Sequence, residues 1–341
     1  MTHIVIRGDF VNRKEINNLV RPYAKAKNLK AYWQILNTLI PYFLIVFTMY
    51  YLISIGVHYL LVLPLAIPGA LFTVRIFILF HDCTHSSFMK SKKMMTFFGH
   101  VFGILVFTPF HPWQREHKEH HRTVGNIDKR GTGDVWTMTV EEYKSSSLLK
   151  RFGYRLYRNP LMLFVIGPTY MFVVQNRLPI HMKTKNDWKS LIITNIAILA
   201  IILTVSFTIG FKYYLMIQIP IIVIASSLGV WLFYVQHQYE DVYWEENATW
   251  DVTEAAIKGS SVYKLPLVLD WFTGNIGYHN VHHLNARIPN YSLRKMFKKT
   301  KEFHISKEIK LFESLKLARL YLYDQKHKLL ISRKKYKKMS N

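Results

Sequence analysis

Cysteine is almost missing from this sequence: Cys83 stands alone among 341 residues. A lone thiol excludes an internal disulfide. It also excludes a thiolate cage, so a metal bound here has to be held by imidazole or carboxylate. Acidic side chains are scarce, 21 Asp and Glu against 45 Lys and Arg, for a formal net charge of +24. Neither GxGxxG nor the phosphate-binding GxxxxGK[S/T] occurs, which leaves no signature of a nicotinamide or nucleotide domain. Internal repeats, Ser/Gly-rich linkers and low-complexity tracts are absent as well. Residues 1–30 are polar and charged without an apolar stretch, so no cleavable signal peptide is expected.

What the chain has in abundance is apolar surface. Half of its residues are hydrophobic and 15% are aromatic, and several apolar runs approach the ~20 helical residues that cross a bilayer core. Runs at 36–55, 59–80, 191–210 and 213–235 are read as four transmembrane helices in two hairpins. The links between partners carry at most Lys212, so they face outward. Residues 284–341 hold seventeen Lys or Arg against four Asp or Glu. By the positive-inside bias, the amino-terminal arm (1–35), the 81–190 region and this basic tail share the cytoplasmic side. Such charge fits anionic lipid heads better than nucleic acid. Arg75, near the inner end of the second run, can snorkel to the interface. Pro64, Pro68 and Pro220 fall inside spans, where proline is tolerated. The shorter runs 97–107 and 161–174 are expected not to span, because either alone would put charged segments on the wrong side; six spans are the alternative. Residues 311–330 mix Leu and Lys at near-helical spacing, which predicts a helix on the membrane surface. The fold class is therefore all-α, an integral membrane protein of residues 36–283 with a cytoplasmic helical cap.

Eight of the sixteen histidines fall in three clusters: His81-Asp82-Cys83-Thr84-His85, His117-Lys118-Glu119-His120-His121 and His279-Asn280-Val281-His282-His283. On a helix, positions i, i+3 and i+4 share a face, so each cluster is expected to aim its imidazoles at one point. Neutral imidazole is the commonest metal ligand and suits iron, copper or zinc. Eight such donors exceed the coordination number of one ion and imply two metals. Cys83 sits two residues from each histidine of its cluster and is expected to pack rather than ligate. Trp113, Trp136, Trp244 and Trp250 are expected to anchor at the membrane interface.

These boxes, in this order and with a long apolar hairpin between the second and third, resemble the membrane-bound fatty-acid desaturases. The likeness runs through roughly residues 30–310, and includes Thr108-Pro109-Phe110-His111-Pro112-Trp113 before the second box and Gly274-Asn275-Ile276-Gly277-Tyr278 before the third. Within that family the sequence is most similar to the bacterial and cyanobacterial acyl-lipid desaturases, the phospholipid delta-5 type among them. The resemblance implies two iron ions, with dioxygen as co-substrate, that remove two vicinal hydrogens from a saturated acyl chain of membrane phospholipid. It implies that His81, His85, His117, His120, His121, His279, His282 and His283 are iron ligands. It adds His237, in Gln236-His237-Gln238, at the inner end of the last span. No fused haem-binding segment is present, so the resemblance implies a separate electron donor, ferredoxin or flavodoxin.

Ligand imidazoles usually donate their other N–H to a carboxylate or carbonyl. Asp82, Glu116, Glu119, Asp134, Glu240, Asp241 and Asp270 are the acids near enough in sequence; Glu116 and Asp241 are favoured. Asn275 either supports a metal-bound water or shapes a turn. Two other readings compete. A membrane hydroxylase of fatty acids, alkanes or carotenoids shares the first hydrogen abstraction. A metal transporter or sensor would line its spans with histidines, whereas these gather at helix ends.

Overall fold

The computed structural model describes residues 18–340 apart from 132, 181 and 301–303; residues 1–17 of the expected arm lie outside the described residues. The long helices are α1 (Asn28–Ser54), α2 (Ala66–Thr84), α3 (Lys92–Leu105), α4 (Phe110–Thr123), α5 (Lys185–Thr208) and α6 (Phe211–His237). Helix α1 begins eight residues before the expected span, so the last part of the predicted arm is helix. Its end is set by Gly56, at φ +84°, where a side chain would be strained. Ahead of α2, Pro64 sits in a 3-10 turn (Leu63–Leu65) that follows the short helix Tyr59–Val62. The three pieces still run on as one apolar stretch, Tyr59–Thr84.

Among the described residues, four helices are long and apolar enough to cross a membrane: Asn28–Ser54, Tyr59–Thr84, Lys185–Thr208 and Phe211–His237. Their outward faces are apolar. Trp33, Phe47 and Phe207 are 65%, 67% and 86% exposed, an arrangement that water disfavours and lipid accepts. Helix α2 is the central one, packed on α1, α3 and α6. Gly69 allows α6 to approach closely: a Cβ there would lie 3.1 Å from Ile221. Arg75 does not snorkel. It is buried, donates to Thr38 Oγ1 at 3.0 Å and to the Trp271 carbonyl, and stacks on the Trp271 ring. Helices α3 and α4 meet at a 98° bend. Residues 162–173 form a π-helical turn (Met162–Ile166) and a short helix (Gly167–Val173), together well under the ~20 residues of a span.

One end of the bundle is stitched together by polar contacts. Asn28, opening α1, accepts from the Lys90 N–H just past α2. Asp187, in the first turn of α5, pairs with Arg115 of α4. Beyond α6 follow α7 (Val252–Lys258), strand β1 (Val262–Lys264), α8 (His279–Leu284) and α9 (Asn290–Lys299).

The basic tail departs from expectation. Residues 311–330 do not form a membrane-surface helix. A short helix (Leu311–Ser314) and a 3-10 turn (Leu315–Arg319) lead into a hairpin of β3 (Leu320–Asp324) and β4 (Leu329–Ser332), preceded by β2 (Glu308–Lys310), which pairs in parallel with β1. Leu-Tyr-Leu-Tyr and Leu-Leu-Ile are strand-forming. Between them Asp324 accepts from the His327 backbone N–H and Lys328 turns at φ +53°. Every residue of β3 is buried, so this segment belongs to the interior. The fold is mostly helical with two small sheets rather than all-α.

Candidate metal centre

Helix α4 supplies the framework of the site. Pro112 lies in its first turn, where a missing N–H costs nothing, and the polar run through Thr123 follows. Helix α2 brings His81 near its last residue, with His85 as its C-cap. His237 is the last residue of α6. Helix α8 is held against α2 by the turn before it. Gly274 (φ +55°) and Asn275 (φ +59°) are both left-handed, and a Cβ on Gly274 would come within 2.7 Å of Ile78. Asn275 thus shapes the turn.

The nine histidines come together as two sets of donors. His81, His85, His117, His121 and His282 form one; His120, His237, His279 and His283 form the other. Within each set the ligand atoms all lie within 4.8 Å of one another. The nearest Nε2 pairs are His117–His81 (2.9 Å), His282–His121 (2.9 Å) and His237–His279 (2.9 Å). The second and third boxes do not each aim at one point, as their spacing suggested. In HxxHH the i and i+4 residues differ by about 40° around a helix, and the i+3 residue lies about 100° from the i+4 residue. His117 and His121 therefore serve the first set and His120 the second, while His279 and His283 serve the second and His282 the first. The two boxes cross over between the sets.

Burial decides the protonation state. It holds the imidazoles of His85, His117, His121, His279, His282 and His283 well below the ordinary value of 6.5, and neighbouring imidazoles push the same way. Neutral imidazole, the metal-binding form, is thereby favoured.

Two histidines of the four-membered set have fixed tautomers. His237 Nδ1–H donates to the Gly259 carbonyl at 3.0 Å, and His120 Nδ1–H donates to Asp134 Oδ1 at 2.8 Å. In the neutral, metal-binding form each Nε2 is then a lone pair, and the two Nε2 atoms are 3.2 Å apart. Two acceptors cannot hydrogen-bond to each other. Facing lone pairs repel, and a cation between them removes the conflict. In the other set, His85 Nε2 is buried with no hydrogen-bond partner, a polar atom that a bound metal would satisfy. The residues fit a metal in both sets.

Asp134 was among the candidate acids but not one of the two favoured, and the Gly259 carbonyl was not singled out from sequence. The signal for Asp134 was Gly131-Thr132-Gly133-Asp134, thirteen residues past His121. Gly133, at φ +72°, lets the loop lie against His120, where a Cβ would sit 3.0 Å from the His120 Cβ. The favoured acids are elsewhere: Glu116 is near Arg115 (3.9 Å), and exposed Asp241 pairs with Lys307 at 3.1 Å. Long charged partners drew both to the surface. Asp82 accepts from the backbone and side chain of Asn290 (2.7 and 2.9 Å) and lies 3.5 Å from His81 Nδ1. Cys83 is buried in an apolar cluster and belongs to neither set. Trp113 stacks on His117 with ring centres 4.3 Å apart, and Trp244 is buried against Tyr323; these two are interior residues rather than interfacial anchors.

Helices of membrane length whose ends converge on nine histidines, buried or half-buried and sorted into two donor sets, define a helical protein of lipid-facing type with residues that fit a metal site. The fatty acid desaturase family model matches residues 60–307, a span that holds all nine histidines, and the chain belongs to that family. It is similar to the fatty acid desaturase of Bacillus subtilis (strain 168), 42% identical over 94% of this chain and 90% of that protein. More distant likenesses include the sn-1 oleoyl-lipid 12-desaturase of Synechocystis, 27% identical over 64% of this chain and 62% of that protein. The sn-1 acyl-lipid omega-3 desaturase (ferredoxin) of Nostoc sp. (strain 36) is 27% identical over 68% and 67%. The chain is therefore an oxidoreductase of lipid metabolism, a fatty acid desaturase.

Proposed function

We propose that this chain is an acyl-lipid desaturase that uses two iron ions, dioxygen and two electrons to convert a saturated acyl chain of membrane phospholipid into a cis-unsaturated one. The observation that carries the reading is the pair of facing lone pairs on His120 and His237, set in one of two buried imidazole sets of a desaturase-family chain. His81, His85, His117, His121 and His282 hold one iron; His120, His237, His279 and His283 hold the other. Iron held there supplies the dioxygen activation and two-electron oxidation needed to break unactivated C–H bonds.

The protein's part is to keep the imidazoles neutral, to aim them through Asp134 and the Gly259 carbonyl, and to keep water out. Trp113, edge-on to Phe77 and Phe80 and stacked on His117, offers an apolar wall beside the first set. The contacts that join the starts of α1 and α5 to this end of the bundle support two hairpins that enter and leave from one side. We assign that side to the cytoplasm on the positive-inside bias, with the four helices in the cytoplasmic membrane. Ferredoxin or flavodoxin is the assigned electron donor, since a basic surface attracts an acidic partner and one relative carries ferredoxin in its name. The delta-5 position is assigned from family likeness.

The test is expression in a host without unsaturated fatty acids, supplied with a competent electron donor, followed by gas chromatography and mass spectrometry of derivatised lipids. A cis-unsaturated phospholipid acyl chain is expected. A saturated-only profile from well-expressed protein would overturn the reading. A hydroxylated chain would convert it to the hydroxylase alternative, and a bond at another position would remove delta-5 alone.

A further inference from the structure

The interior position of the β3–β4 hairpin has a consequence for the four-histidine set. Asp134, which orients His120, stands at the start of a segment that is bound to the hairpin along its length. Tyr323 N–H donates to the Met138 carbonyl at 3.0 Å, and Thr139 bridges to Tyr323 as a parallel β-pair. Tyr154 ties the same two pieces: its hydroxyl accepts from the Met138 N–H at 3.2 Å and donates to the Tyr321 carbonyl.

Arg158 locks this assembly. It is buried at 5% exposure, and among the described residues no carboxylate forms an ion pair with it. Its guanidinium donates instead to the Leu320 carbonyl (2.6 Å) at the start of β3, to Thr137 Oγ1 (3.3 Å) and to the Tyr234 hydroxyl (3.2 Å). Tyr234 lies on α6 three residues before His237. Thr137 Oγ1 in turn donates at 3.2 Å to Gln238, the residue after His237. One buried cation therefore joins the hairpin, the Asp134 segment and the end of α6. A guanidinium suits this task because its planar fork addresses several acceptors at once, and a buried charge kept without a counter-ion is costly.

We propose that the β3–β4 hairpin, acting through Arg158, is a positioning device for Asp134 and His237, and so sets metal occupancy of the four-histidine set while leaving the five-histidine set alone. The proposal rests on the two-metal reading above. Arg158 is a positioning residue, since it touches no imidazole itself; the asymmetry follows because Asp134 and His237 both belong to the four-membered set.

The experiment uses the full chain purified in detergent and loaded with ferrous iron, challenged with rising chelator, with retained iron per chain read by mass spectrometry. Two ions per chain are expected in the unaltered protein. In Arg158→Met one of the two should be lost at about tenfold lower chelator, the scale on which supporting groups tune metal affinity, while the other is held as before. Asp134→Asn should show the same selective loss, Asp134→Glu should recover part of it, and Arg158→Met added to Asp134→Asn should cost little more than Asp134→Asn alone. Tyr154→Phe, a milder cut in the same assembly, should show the same selectivity if Arg158→Met does not fold. Equal loss of both ions, or fully additive losses in the double variant, would overturn the proposal. An unaltered protein that binds no iron would overturn the two-metal reading itself; two tightly held ions indifferent to Arg158 would overturn only the positioning role.

Discussion

The two histidine sets are built from shared parts but are held differently. Helices α4 and α8 contribute to both; α2 completes the five-membered set and α6 the four-membered one. In the four-membered set two imidazoles are pinned through Nδ1, His120 by a carboxylate and His237 by a carbonyl. In the five-membered set Nδ1 of His81 and of His282 is buried without a hydrogen-bond partner, and Asp82, the nearest acid, is committed to Asn290. Nδ1 of His279 and His283 is equally without a partner, so the four-membered set is aimed from outside at two of its four donors, whereas His81 and His282 of the other set carry no such pin. The lesson is that the outside pins fall on two donors of the smaller set, His120 and His237, and that their support reaches back to a segment near residue 320.

The largest expected effects break the sets outright. His120→Ala should abolish double-bond formation with the protein still inserted in the membrane, checked by lipid analysis beside quantitative immunodetection. Paired with it, His85→Ala and His237→Ala should each lower bound iron from about two ions per chain toward one, and retention of both ions in either variant would refute the two-site assignment. A smaller effect separates the two carboxylates. Asp134→Asn should weaken metal binding by about 10–100-fold, read by chelator competition. Asp82→Asn should leave the four-histidine ion in place but cost about 1–3 kcal/mol, because an amide facing the Asn290 donors leaves a buried group unpaired; thermal unfolding measures that. If the two exchanged phenotypes, the contrast drawn between the sets would be wrong.

The sequence made part of this legible. The four apolar helices follow from run length, and the box histidines announce themselves by repeated spacing. The crossover of the boxes was readable in principle, since the residue between i and i+4 in HxxHH points elsewhere on a helix, but sequence does not say that a second set waits on that side. Glu116 and Asp241 were chosen for nearness in sequence, and Arg115 and Lys307 hold them at the surface instead. Asp134 needed a left-handed Gly133 to fold back on His120, a tertiary fact. The hairpin was hidden because Lys at positions 326 and 328 imitates the polar face of a helix, while alternation in Leu320–Asp324 marks a strand whose two faces are both covered.

Acid sensitivity sharpens the comparison further, with a moderate effect. Six of the imidazoles outside the four membrane-length helices have depressed pKa values from burial. Below the ordinary value of 6.5 the unfolded chain takes up protons that the folded one refuses, so stability falls as pH drops below that value and is unaffected by these groups above it. Metal-free protein in detergent should therefore lose melting temperature steadily between about pH 6.5 and pH 5. His85, His117, His121 and His282 belong to the five-membered set and His279 and His283 to the four-membered one, so loading iron into the five-histidine set alone should remove about two-thirds of that slope. A flat profile would mean that the imidazoles are hydrated and the sets open.

The smallest effect is expected at the acids that sequence favoured. Glu116 and Asp241 are partly or largely exposed and face Arg115 and Lys307, and exposed ion pairs contribute about 0–1 kcal/mol. Glu116→Gln and Asp241→Asn should leave iron content unchanged and shift stability by no more than about 0.5 kcal/mol. Glu116 is the stricter control, because it lies one residue before His117 and its backbone runs beside the Gly133 loop. If a carboxylate supported the imidazoles merely by nearness along α4, Glu116→Gln would match Asp134→Asn. The structure instead ties support to the direction of Nδ1, and chelator competition on these two variants, side by side, separates nearness from direction.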